Sequence, residues 1–483
     1  MKKIVVILFL ISVFFISFLP VKDTDFGWHY RCGKEFLKSG SFALCTKNNF
    51  SYFLPDYKSY NPHFFYDVGL ASTYDHFGFI GVSLMDSIIM VLAAGIFLYL
   101  INMPLWLKII AFYLNLSLSY SIFSLGIRDQ ILTYLFFLLT LFLLKKSEKN
   151  IKYILFLPLL FLIWVNTHIG FFIGPIIFFF YFLGNRKKII LLVFFLSLLM
   201  TFLSFFGAEV YQEIINHVFS PLNGMIAEWV PPSIWQIILI IVLTIISLIM
   251  IIKQKNKSVF NILLILFFSI LAVKARRNLT FFYTTFFYVF LNHWKIEINN
   301  LIIPILVSIN LFFIITQVPQ TVNFDRSWKK YCSQGLSVYP CQAIKNNPQL
   351  SGNVYAMYEW GGFLIWQKPN TRVFVDGRMP AWKDENGKSP YQVFIEIIQT
   401  QPGWNEKLNK WKTNYLLIAN GTFLDLLLQK EPIKYDWQEV YRDDIAVIYK
   451  NLFSVSRLRY FFSPSNKDVL SGFNIFRFSH PRF

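Results

Sequence analysis

Charge is what this sequence has least of. Asp, Glu, Lys and Arg make up only 15% of its 483 residues. A water-soluble globule carries roughly 25%, so this chain cannot cover a soluble surface of its own size. That shortage excludes a cytosolic enzyme and a disordered scaffold. Cysteine is scarce too: four residues are too few for a disulfide-dense secreted mini-domain. No Gly-x-Gly-x-x-Gly or P-loop run occurs, and no His/Cys spacing of the zinc or haem kind. Acidic residues are the rarer sign, 27 against 45 basic, which leaves a balance of +18. In a chain this apolar, such an excess anchors cytoplasmic loops and meets lipid headgroups, and no nucleic-acid partner is expected.

What is abundant is apolar: 55% of residues are hydrophobic, with 55 Phe among them. Runs of about 20 such residues cross a bilayer as helices. They occur near 4–20, 79–101, 104–123, 130–144, 151–166, 169–184, 189–206, 233–252, 259–275, 279–292 and 300–318, about eleven spans. The chain therefore reads as a polytopic α-helical integral membrane protein, with a transmembrane domain over 1–318. Lys2-Lys3, Lys145-Lys146, Arg186-Lys187-Lys188 and Lys253, Lys255 and Lys257 fall on one side if the spans alternate, so the N-terminus is expected in the cytoplasm. Segments 21–78 and 207–232, and everything after 318, then lie outside. All four cysteines sit in those outer segments, where disulfides form. The local pairing, Cys32 with Cys45 and Cys332 with Cys341, needs no contact between distant segments.

Beyond the last span the composition changes. Strand-like runs at 354–358, 372–375, 415–419, 439–442 and 445–449 alternate with helical stretches near 389–400, 404–413 and 422–430. This predicts an extracytoplasmic α/β domain over 319–450, followed by a basic, aromatic tail over 451–483.

Chemistry concentrates at the outer ends of the spans. The first outer loop opens Asp23-Thr24-Asp25-Phe26-Gly27-Trp28-His29-Tyr30-Arg31-Cys32-Gly33. Two carboxylates flanking one residue can hold a divalent cation such as Mg or Mn, or one can act as general base while the other orients it. Capping of a following helix is the plainer use of the same residues. His63 ends the loop within Asn61-Pro62-His63; Arg128-Asp129-Gln130, Asn166-Thr167-His168, Glu228-Trp229 and Arg276-Arg277-Asn278 stand at other outer turns. Arginines on the outer face run against the positive-inside bias, and a lipid phosphate is one ligand that explains them. Segment 207–232 places Tyr211, Ile214, Ile215 and Val218 on one helical face, as in an interfacial helix roofing a groove. His217 shows no partner in the sequence and reads as structural.

In order and spacing these motifs resemble the GT-C glycosyltransferases, integral membrane enzymes that use polyprenyl-phosphate-linked sugars. Asp23–Gly33 is similar to the Asp-Pro-Asp-Leu-Trp-Trp-His-Leu-Arg-Thr-Gly opening of a bacterial group of such proteins. It is more distantly similar to the opening of the oligosaccharyltransferase catalytic subunit, and protein mannosyltransferases are equally remote. Arg128-Asp129-Gln130, Trp164–Gly170, Glu228-Trp229, Glu359-Trp360-Gly361-Gly362 and Val375-Asp376-Gly377-Arg378 continue the match. The resemblance implies sugar transfer on the outer face to a glycan, lipid or protein acceptor. It makes Asp23 and Asp25 the catalytic or metal-holding pair, with His29, Arg31, His63, Arg128, Gln130, Asn166, His168, Glu228, Arg276 and Arg277 lining the substrate cavity. The sequence departs from the group at Thr24, Gly27 and Asn61-Pro62-His63. Two other readings of the same features are a transporter or flippase of a lipid-linked intermediate, and a non-catalytic assembly protein acting through its outer domain. For the last two motifs, turn and strand-end packing is the plainer role.

Overall fold

The first apolar run becomes helix α1 (Lys2–Ser17), and Phe18 to Asp25 carry the chain to α2 (Phe26–Ser39). The computed structural model describes residues 2–452 except 42, 120–122, 124–125, 219–223, 255–256, 294–301, 323–330, 334–337 and 432–433, so nearly all of the expected tail lies outside it. After one helical turn at Ala43–Thr46 come α3 (Phe64–Leu100), α4 (Leu105–Leu118) and α5 (Asp129–Ser147). They are followed by α6 (Leu157–Val165), α7 (Ile173–Asn185), α8 (Lys188–Thr201) and the short α9 (Glu209–Val218). The bundle closes with α10 (Ile234–Ile252), α11 (Val259–Lys274), α12 (Leu279–His293) and α13 (Ile302–Val322).

Among the described residues α3, α5 and α10 are long and apolar enough to cross a membrane unaided, and most of the rest are shorter apolar helices. The protein is an integral membrane protein, and its surface shows why. In α10 the buried positions are Ile240, Thr244, Ser247 and Ile251, a stripe rich in small polar groups. The outward positions are large and apolar, with Trp235 at 77% exposure. A soluble amphipathic helix has the opposite arrangement; lipid reverses it. Thr244 and Ser269 hydrogen-bond across to α11 at 2.7 Å, as polar groups do where no water competes.

One expected boundary moves. The loop predicted to run to residue 78 turns helical at Phe64, and α3 continues through a break at Gly78 (φ 60°, ψ −155°). Only glycine takes that conformation without strain. The half before the break carries Asp67, Asp75 and His76, too polar for a span by sequence.

The remaining chain forms a small domain. Its elements are α14 (Cys341–Asn346), β1 (Gly352–Ala356), α15 (Gly361–Gln367), β2 (Thr371–Val373), α16 (Pro390–Ile398), α17 (Trp404–Lys410), β3 (Tyr415–Ala419), α18 (Phe423–Lys430), β4 (Trp437–Arg442) and β5 (Ala446–Asn451). The sheet order is β2-β1-β3-β5-β4. β1 runs parallel to β2 and β3, and β5 pairs antiparallel with β3 and β4. The first loop joins this sheet: Val373 donates to Phe50 at 2.9 Å and receives from Tyr52 at 3.2 Å. The disulfides are Cys32–Cys45 and Cys332–Cys341.

The two halves meet where two motifs touch. A Cβ on Gly27 would stand 1.8 Å from the carbonyl oxygen of Gly362, and one on Gly362 would stand 2.2 Å from that of Thr24. Backbone lies on backbone here. Gly362 thus serves the docking of α15 onto α2, whereas a Cβ on Gly361 would stand 2.5 Å from the Val375 carbonyl oxygen within the sheet domain; both are packing roles.

Candidate functional site

The segment between α1 and α2 decides the fates of its two aspartates. Asp25 occupies the N-cap position of α2, yet its side chain makes no capping hydrogen bond. It is free to line a polar cavity of about 120 Å³ instead. Asp23 is buried, accepts the Asp25 backbone N–H at 3.3 Å, and lies 3.5 Å from the Arg128 Nε. Burial pushes the Asp23 carboxyl up to about 6, against the pull of Arg128. Burial, and then the charge of Asp23, raises Asp25 well above the usual carboxylate range. Gly377 makes room for this group: a Cβ there would sit 1.8 Å from Asp25 Oδ1.

Arg128 is already spent on protein carboxylates. Its guanidinium grips Glu228 through two hydrogen bonds, 2.8 and 3.2 Å, besides approaching Asp23. Burial opposes ionisation of Glu228, but Arg128 and Arg277 overcome it and bring the carboxyl down to about 2. Arg277 differs. Its backbone is tied to Glu228 and Gln130, at 3.1 and 3.3 Å, while its side chain pairs with no acidic group among the described residues.

Asp129, at the start of α5, is ringed by imidazoles. His63 Nδ1 lies 2.8 Å from its Oδ2, His168 Nε2 lies 3.6 Å from Oδ1, and His29 Nε2 lies 3.9 Å from Oδ2. His168 Nδ1 is occupied by Thr133 at 2.6 Å and by the Gly170 N–H at 3.0 Å. Burial holds the His168 ring down at about 3, so it stays neutral near pH 7. These nitrogens are directed at a carboxylate and at second partners. Among the described residues no group of three or more His, Cys, Asp and Glu side chains could hold a metal ion. With Asp23 committed to Arg128, the donor set does not fit the divalent cation expected at Asp23 and Asp25.

The cavity gathers Asp25, His29, His63, Arg128, His168, Glu228 and Arg277 from the sequence-derived set. Gln130 lines the neighbouring apolar cavity. Arg31 points elsewhere and donates to the Ile365 carbonyl at 3.4 Å. Arg276 lines neither cavity; its backbone N–H donates to the Val230 carbonyl at 3.0 Å. Asn166 closes the end of α6, donating to Leu162 O at 2.9 Å, and accepts from the Phe205 N–H at 3.0 Å.

The lining also includes Asp129, Tyr60, Glu213 and Trp382, together with His217 and Arg378, for which the sequence suggests structural roles. The sequence signal for Asp129 is an acid at the mouth of a span, directly beside Arg128. Arg378 reaches in from the sheet domain, held on Asp376 at 2.8 and 2.7 Å and lying 4.8 Å over the Phe50 ring. Glu213 and His217 come from α9, the expected interfacial helix. Burial lifts Glu213 to about 7 and lowers His217 to about 4.

Beside this polar space lies a second cavity of about 190 Å³, walled by Phe172, Ile173, Val218, Leu271 and Phe281. His168, His217, Trp229 and Arg277 line both. A charged chamber thus adjoins an apolar one, with one arginine on their common wall.

This arrangement sits on the GT-C fold. The archaeal oligosaccharyltransferase AglB from Archaeoglobus fulgidus, in complex with an inhibitory peptide and a dolichol-phosphate, superimposes with a TM-score of 0.57 at 12% identity, over 86% of this chain and 69% of that one. The same enzyme in complex with Zn and sulfate gives 0.53 at 12% identity, covering 92% and 73%. ArnT from Cupriavidus metallidurans in the apo state gives 0.49 at 10% identity, covering 92% and 96%. No family model matches the sequence, and no curated protein matches it. The chain is an integral membrane protein that shares the fold of that archaeal oligosaccharyltransferase.

Proposed function

We propose that this protein is a membrane glycosyltransferase that moves a sugar from a polyprenyl-phosphate-linked donor to an acceptor hydroxyl on the extracytoplasmic face. One observation carries the reading: the polar and apolar cavities adjoin, and Arg277 lines both. A lipid-linked sugar phosphate has the same order of parts, a polar head, a phosphate and an apolar tail. Among the described residues that line both cavities, Arg277 is the cation placed to meet the phosphate, since Arg128 already serves Glu228 and Asp23.

In the reaction the acceptor oxygen forms a bond to the anomeric carbon as that carbon's bond to the phosphate oxygen breaks. The acceptor proton passes to the Asp25 carboxylate, and polyprenyl phosphate departs against Arg277. Asp23 contributes through its charge, which keeps Asp25 basic. The acceptor is a glycan, lipid or protein hydroxyl reached from the side of the sheet domain.

The test is transfer by the purified full chain in liposomes, offered a panel of radiolabelled polyprenyl-phosphate sugars and extracted envelope acceptors. Wild-type protein should form product, Asp25→Asn should lose it about 10²–10⁴-fold, and Arg277→Gln should lose binding of undecaprenyl phosphate. Equal turnover by Asp25→Asn, or undiminished lipid-phosphate binding by Arg277→Gln, would defeat the reading.

A further inference from the structure

The Trp164–Gly170 run closes on one of its own side chains, the His168 imidazole. The Gly170 backbone N–H donates to His168 Nδ1 at 3.0 Å, and Thr133 Oγ1, from α5, lies 2.6 Å from the same nitrogen. A backbone N–H can only donate, so Nδ1 accepts and carries no proton. Thr133 then gives its hydroxyl proton to the ring, while its oxygen accepts the Trp164 indole N–H at 2.9 Å. Backbone amide and indole have one role each, which leaves the ring proton on Nε2. Trp164, Thr133 and His168 are all buried, so the inner edge of the ring is closed to water. Glycine at 170 is part of the arrangement, since a Cβ there would stand 2.8 Å from Nδ1.

The outer edge of the ring meets Asp129. Nε2 stands 3.6 Å from Oδ1, beyond hydrogen-bond length. The other oxygen, Oδ2, lies 2.8 Å from His63 Nδ1, where either a carboxyl or an imidazole proton fits. Oδ1 faces a donor and is the acceptor whichever group holds that proton. A fixed donor and an acceptor thus lie side by side on the cavity wall without bonding to each other. The group that accepts from one and donates to the other is a hydroxyl; a phosphate oxygen brings no proton for Asp129. Arg277 shares the wall between the two cavities with His168, and its charge bears on that ring. With the phosphate at Arg277, the hydroxyl in reach is the one nearest the phosphate ester.

We propose that His168 and Asp129 form a subsite that selects a donor sugar with a free hydroxyl on the carbon next to its anomeric carbon. Gly170, Thr133 and Trp164 are positioning residues for it. The sugar assignment rests on the glycosyl-transfer reading above; the proton on Nε2 does not.

The test uses the full chain in detergent micelles. Nitrogen NMR with ¹⁵N in the histidine rings, assigned with His168→Gln, should show His168 with bare Nδ1 and protonated Nε2. Binding is then measured for undecaprenyl phosphate and for a panel of undecaprenyl-phosphate hexoses, each beside its 2-deoxy counterpart. At least one hexose should bind about tenfold or more tightly than its 2-deoxy form. His168→Phe should erase that difference while still binding undecaprenyl phosphate, and His168→Gln, which keeps an N–H on that side, should restore part of it. A wild-type His168 protonated on Nδ1 overturns the proposal without any variant. So does equal binding of every hexose and its 2-deoxy form, the result expected where only water bridges His168 and Asp129. Failure to bind undecaprenyl phosphate or any of its hexoses counts instead against the glycosyl-transfer reading, and the sugar assignment falls with it.

Discussion

Asp23 and Asp25 are two residues apart and do different things. The spacing was plain in the sequence, but it could not say which carboxylate faces the cavity. Direction of the side chains decided that, since Asp23 turns inward to Arg128 and Asp25 outward past Gly377. A pH experiment follows from the raised carboxyls. Asp25 must be ionised to take a proton, so the acid limb of transfer should lie above the usual carboxylate range. Asp23→Asn should move that limb to lower pH, because it removes the neighbouring negative charge that helps raise Asp25. Stability has its own sign. The folded Asp23 keeps its proton up to about 6, whereas an unfolded one loses it near pH 4. Its contribution to stability therefore falls as pH rises from about 4 to about 6. Thermal unfolding in micelles across that window should show the decline, and Asp23→Asn should flatten it. The arginines give a second contrast. Arg128→Gln leaves two carboxylates unpaired in a buried place and should cost about 3–5 kcal/mol. Arg277→Gln breaks no direct ion pair with a described residue but removes a charge that helps keep Glu228 ionised, so it should lower stability less than Arg128→Gln does while weakening lipid-phosphate binding.

Glycine positions separate elements that must touch from those that need not. Gly27 and Gly362 bring α2 and α15 into backbone contact, so Gly27→Ala should overpack the joint and cost about 1–3 kcal/mol. Gly95, inside α3, has nothing within 4 Å of where a Cβ would go. There the same change should be neutral or gain up to about 1 kcal/mol through helix propensity. Differential scanning of the two variants side by side checks the pair. Strand periodicity and turn residues were legible at this scale, and the runs at 354–358, 372–375, 415–419, 439–442 and 445–449 do lie on or beside β1 to β5. The helical stretch of α3 before Gly78 was not, because hydropathy sees spans and passes over polar helices. The approach of His168 to Asp129 was equally hidden, being made between residues of two separate turns.

At the scale of the whole molecule, large apolar side chains face outward from nearly every bundle helix, Phe77, Trp235 and Phe312 among them. They predict aggregation on removal of detergent, readable by size-exclusion chromatography. The basic loops add a topological expectation: protease applied to intact cells should cleave within the sheet domain and spare the loop near Lys145. The amino-acid pattern alone puts the chain in a bilayer, since too few charges and too many long apolar runs leave no soluble alternative. It also sets where polar chemistry collects, at span ends, because ionisable groups are costly deeper in lipid. Which of those groups share a cavity is set by how the helices pack. Ion pairing is a matter of a few ångströms between residues a hundred or more positions apart, as with Arg128 and Glu228. No local pattern encodes that distance, so the engaged arginine, the unpaired one and the aspartate beside His168 emerge only when the helices are packed.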